Sequence, residues 1–188
     1  IGCVNCIYNC HLKPHISQLM NKHTNICLNV ILDHSRHLLN RLHDNSIDVC
    51  FSYLATNEIS YKCIPYKTDE IIFVTNSQNI QFSNGIHNSE ILHLPIIYSK
   101  FMPKSGFDWI HDIFPPHYVF QFTISVIKEI IPFLLQYPYY AFLPRKLIEN
   151  ELKDGLLIEI PLLDYHIPPL QSYIIMKSNA KYNPLDYF

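Results

Sequence analysis

Between Ile1 and Leu54 the chain repeats a single alternation, and this constrains the fold more than anything else in it. GCVNCIYN (2–9) reads as a strand. LKPHISQLMNKH (12–23) sets Leu12, Ile16, Leu19 and Met20 at helical spacing, with Pro14 in the first turn, where a missing N–H costs little. NICLNVILD (25–33) alternates and is rich in β-branched residues, so it predicts a strand. HSRHLLNRLHDNS (34–46) puts Leu38, Leu39 and Leu42 on one helix face, and IDVCFSYL (47–54) is the short continuous apolar run of a buried parallel strand. Strand, helix, strand, helix, strand with short connections predicts a parallel sheet covered by helices.

A strand at Glu70–Thr75 comes next, and then a polar, turn-rich stretch over 77–93 that contains Asn84-Gly85. The pattern then restarts: strand PIIYSK, helix near GFDWIHDIF, strand HYVFQFTI, helix SVIKEIIPFLLQ with a kink expected at Pro132, strand YYAFLP, helix RKLIENELKDG, strands LLIEIPL and QSYIIMKS. Two α/β blocks joined by crossing segments near 70–76 and 171–177 predict two lobes. The expected division is 1–74 for the first lobe, 75–171 for the second, and 172–188 for a return strand and tail on the first. The fold class expected is α/β, two Rossmann-like lobes joined by two hinge strands.

Hydrophobic content of 48% against 16% charged residues describes an ordered, well-buried chain. Net charge of −2 gives no footprint for nucleic acid or an acidic membrane. The apolar runs are broken by charge or proline well short of the ~20 residues of a membrane span. Ile1–Asn9 lacks the basic start of an export signal.

The ordered set of segments resembles the effector-binding domain of LysR-type transcriptional regulators, whose fold is that of type 2 periplasmic binding proteins. Ile1-Gly2 with LKPHISQLMNKHTNICLNV is similar to the family's opening strand, helix and second strand, and SRHLLNRLHDNSIDVCFS matches its next helix and strand, with Asp48 at the family's aspartate. DEIIFV resembles the first crossing strand, LHLPIIYSK the start of the second lobe, YYAFLPRKLIENELKDGLL the later strand–helix–strand stretch, and QSYIIMKS the return strand. The resemblance implies a non-enzymatic sensor, cytoplasmic and paired as a homodimer or tetramer. It also implies no cofactor, and DNA contact made only through an N-terminal winged helix-turn-helix absent from these residues. The alternative is the solute-binding protein of a transporter. Tyr137-Pro138-Tyr139-Tyr140 stands where the family carries glycines.

In such sheets ligands sit beyond the carboxyl ends of strands, against helix N-termini. Strand ends nominate Tyr8, Asn9 and Cys10 after the first strand and Ser52 and Tyr53 after the third. In the second lobe they nominate Ser99 and Lys100, then Thr123, Ile124 and Ser125 at the start of a helix, with Phe142 on the pocket floor that the resemblance implies. Helix N-termini and Lys100 favour a small organic anion.

All six cysteines (3, 6, 10, 27, 50, 63) fall in the first third. A strand over 2–9 places Cys3 and Cys6 on opposite faces, so the C-x2-C-x3-C-H run predicts buried thiols and no metal site. Cys10, beside Lys13 at a helix start, carries a redox alternative. His11/His15 and His34/His37 have helical spacing but no third ligand in a motif. No H-E-x-x-H, G-x-S-x-G or P-loop occurs.

Overall fold

The computed structural model describes residues 1–23, 25–99 and 109–179. They divide into two compact units, one running from Ile1 to Thr68 and resuming at Gln171, the other Asp69–Leu170.

The first unit opens with β1 (Gly2–Cys3), then α1 (Asn5–Ile7), a π-helical turn (Tyr8–Leu12) and α2 (Lys13–Lys22). β2 (Ile31–Leu32), α3 (Ser35–His43), β3 (Val49–Ser52) and β4 (Tyr61–Asp69) follow. The helical stretch corrects the strand expected over 2–9. Cys6, Ile7 and Cys10 are all buried, and their i, i+1, i+4 spacing is that of one helix face, since adjacent residues of a strand point to opposite sides. Pro14 is accommodated by the widened turn before it: the Lys13 N–H donates to the Tyr8 carbonyl, five residues back, at the point where a proline ring crowds an α-turn. The strand expected over 25–33 shrinks to Ile31–Leu32.

The second unit contains β5 (Ile71–Asn76), α4 (Asn88–Ile91), β6 (Ile97–Tyr98), α5 (Trp109–Ile113) and β7 (Phe122–Thr123). α6 (Ile131–Gln136), β8 (Ala141–Pro144), α7 (Glu149–Lys153) and β9 (Leu157–Glu159) complete it. At Pro132 the helical stretch changes character. A 3-10 segment, Ile127–Ile130, precedes it, and Pro132 lies in the first turn of α6, where no N–H is needed. The chain returns to the first unit with β10 (Leu170–Lys177).

The first unit's sheet has the order β2-β1-β3-β10-β4. β1 pairs in parallel with β2 and β3, and β10 runs antiparallel to β3, with Ile175 opposite Cys50. Leu38 and Leu42 of α3 are sealed against this sheet, each contributing roughly 1.5–3 kcal/mol by burial. Gly2 packs closely: a Cβ there would stand 2.5 Å from Ile47 Cδ1 and 2.7 Å from Leu38 Cδ2, so those side chains would have to shift.

In the second unit β5 is central, antiparallel to β8 and β9, and Ile71–Val74 are buried. Phe73 packs on Phe142 with ring centroids 4.6 Å apart, and Trp109 meets Phe142 edge-on at 5.0 Å. β6 and β7 form a parallel pair, tied to β8 by a bridge between Ile96 and Tyr140. The turn at Asn84-Gly85 uses a φ of 111° at Gly85, a conformation that favours glycine. Among the described residues no helix is long and apolar enough to cross a membrane.

Candidate functional site

In the second unit the parallel register sets Tyr98 opposite Thr123, and the Ile124 N–H donates to the Tyr98 carbonyl at 3.0 Å. Ser99 follows the end of β6, and Ile124 and Ser125 follow the end of β7. Four of the expected residues therefore meet at the shared carboxyl end of one strand pair. Thr123 and Ser125 are exposed, and Ile124 is half-buried. Ser99 is 4% exposed, and its Oγ makes no hydrogen bond. A buried hydroxyl left so costs about 1–3 kcal/mol. Behind it Tyr98 stacks on Phe120 at 4.3 Å, and burial raises the Tyr98 phenol above its ordinary value. Lys100 lies outside the described residues.

Phe142, expected on a pocket floor, lies in the aromatic core of the second unit. It is 6% exposed and enclosed by Phe73, Trp109 and Phe114. Sequence spacing identifies a strand there but cannot say which face of it is covered.

In the first unit the expectations fare differently. Tyr8, Asn9 and Cys10 are not at a strand end, because β1 stops at Cys3; they occupy the π-turn within the helix. The Asn9 amide donates back to the Asn5 carbonyl at 2.8 Å and to Asn5 Oδ1 at 3.1 Å, while Cys10 Sγ lies 3.9 Å from Cys6 Sγ. The residues that do follow β1 are Val4, buried, and Asn5, half-buried and first in the helix. Sequence reading missed Asn5, and the i, i+4 pair Asn5/Asn9 was the available signal.

Ser52 does end β3, but its hydroxyl is occupied. It donates to the Leu54 carbonyl at 3.0 Å and accepts from the Leu54 N–H at 2.9 Å. The next N–H, of Tyr53, donates to Ser35 Oγ at the start of α3. The Ser35 hydroxyl thus ties the end of β3 to α3, and Tyr53 is itself buried.

Burial, reinforced by Cys50 and Cys6, holds the Cys3 thiol well above its ordinary pKa, and burial pushes Cys50 up to about 12. Thiols so placed stay protonated and inert as nucleophiles. Among the described residues no three His, Cys, Asp or Glu side chains converge as a metal site.

An ion-pair cluster that links several strands of the second unit is structural. In the second unit Arg145, just after β8, bonds Glu70, just before β5, through Nε at 2.5 Å, and Glu159 of β9 through Nη2 at 2.6 Å. The guanidinium holds the Glu70 carboxyl below its usual range, helped by His166.

A sequence profile for the family described as LysR substrate binding domain matches residues 1–185. Comparison with curated protein sequences finds no match. Among solved structures, the regulatory domain of CrgA, a LysR-type transcriptional regulator from Neisseria meningitidis, superposes with a TM-score of 0.76 at 12% identity, over 97% of this chain and 89% of that one. The BenM effector binding domain with its effector benzoate gives 0.69 at 16% identity, over 99% and 86%. A full-length OxyR variant from Pseudomonas aeruginosa gives 0.73 at 12% identity, over 96% of this chain and 63% of that one. The present chain thus spans about three fifths of the full-length OxyR it matches. At such identities the likeness carries the fold, which is of the type 2 periplasmic-binding-protein kind.

Proposed function

The chain belongs to the LysR substrate binding domain family, and from that premise we propose that it senses a small organic anion for a transcriptional regulator, using the hydroxyls at the carboxyl ends of β6 and β7. One observation carries the reading: Ser99 Oγ, just past the carboxyl end of β6, is buried and without a hydrogen-bond partner. A ligand carboxylate accepting from Ser99 would remove the cost of that idle hydroxyl, and hydrogen bonds to charged acceptors are roughly twice as strong as neutral ones. The BenM domain with benzoate is an example of an aromatic carboxylate held by the same fold.

In this reading the regulator works in the cytoplasm as a homodimer or tetramer. Its DNA contacts come from a winged helix-turn-helix joined to these residues, whose net charge of −2 offers no phosphate footprint of its own. Ligand binding then acts by favouring one arrangement of the assembly over another. The family assignment does not favour the solute-binding alternative.

Thermal unfolding against a panel of carboxylates, amino acids and inorganic anions tests this. A ligand present at 100 times its Kd stabilises by ~2.7 kcal/mol, and at ~2–4 °C per kcal/mol for a chain of this size the rise in Tm is plain. The expected result is a shift with one class of carboxylate. Stabilisation by neutral metabolites alone, or by none of the panel, contradicts the anionic reading.

A further inference from the structure

The first unit holds a second group of side chains that the hydroxyl cluster does not use. Cys3, Cys6, Cys10 and Cys50 are buried in its interior, and no disulfide joins any of the six cysteines. Cys6 and Cys10 stand one helical turn apart with their sulfurs 3.9 Å from each other.

A direct S–S bond suits this geometry poorly. A disulfide needs Cβ atoms about 3.5–4.5 Å apart, whereas i, i+4 positions on a helix keep them about 5–6 Å apart. An atom between the sulfurs suits it well. With metal–sulfur bonds of about 2.3 Å, sulfurs 3.9 Å apart subtend roughly 115° at a shared ion. Opening the angle to linear needs about 4.6 Å, within reach of small side-chain rotations.

We propose that Cys6 and Cys10 form a two-thiolate site for a soft monovalent ion, Cu(I). The ligand count selects the ion. Zinc takes four ligands, and no set of three or more candidate ligands converges among the described residues. Thiolate ligands select Cu(I) among the soft ions. Cys3 is not counted as a third thiolate, because its Sγ is directed to the Val4 carbonyl, donating to it at 3.3 Å.

Binding transfers no electron. Each thiol releases its proton to solvent, two Cu–S bonds form, and the bis-thiolate complex carries one negative charge. The site goes beyond the effector reading and does not depend on it.

The test is anaerobic titration of the reduced protein with Cu(I) against a coloured Cu(I) chelator. The protein is expected to withdraw one equivalent. Cys6→Ser or Cys10→Ser should weaken retention about a hundredfold or more, as two-point binding becomes one-point, while Cys27→Ser, at an exposed cysteine, leaves it unchanged. X-ray absorption on the loaded wild type covers the case in which the serine variants misfold: two sulfur neighbours and nothing else are expected. No withdrawal by the wild type, retention that depends on Cys27, or a shell of three or more ligands overturns the proposal.

Discussion

Gly2 and Ser99 show opposite uses of a single residue. Gly2 sits between Ile47 and Leu38, whose methyl groups stand where a Cβ would go, and both neighbours are themselves buried. Gly2→Ala is therefore expected to cost about 1–3 kcal/mol by overpacking, read as a lower urea midpoint with an unchanged m-value. Ser99, in contrast, carries a hydroxyl that its surroundings leave idle. Both strand-end serines were visible in the sequence, but their roles were not. Ser52 is satisfied by a backbone group two residues away and Ser99 by none, a difference that lies in turn geometry and not in composition. Tyr8, Asn9 and Cys10 were misplaced because GCVNCIYN reads as a strand, whereas the buried Cys3, Cys6, Ile7 and Cys10 follow the i, i+3, i+4, i+7 spacing of a helix.

At the scale of elements, most of the alternation was legible because buried helix faces and buried strands write different periods. β4 was not. Pro65, Lys62 and Lys67 break its apolar pattern, yet those are the residues by which an edge strand discourages further pairing, and β4 is an edge of its sheet. The Arg145 cluster links one end each of β5, β8 and β9. Its Glu70 has a folded pKa below the ordinary carboxylate value, so its contribution is present above about pH 4.3 and is lost as pH falls through the lowered folded value. Arg145→Ala should lower Tm at neutral pH and flatten the acid side of the stability curve, because Glu70 then titrates alike in both states. The pair is partly exposed, and a drop of about 1 kcal/mol or less is expected for such a surface cluster. Thermal scans between about pH 3 and pH 6 on both proteins check it.

For the whole molecule, the order of elements was enough to identify the family, while no single motif was. The chain leaves its first unit after Thr68 and returns at Gln171, so β5 belongs wholly to the second unit and spans no boundary. What the sequence could not convey is which hydroxyls remain available once every turn is made, and the functional account rests on that. The decisive measurement is calorimetric titration of the best carboxylate from the thermal panel into wild type and Ser99→Ala. The account predicts affinity reduced about tenfold or more, in line with ~1.5–3 kcal/mol for a hydrogen bond to a charged group, with the ligand-free variant at least as stable as wild type. Equal affinity in the two proteins would place the effector elsewhere and contradict it.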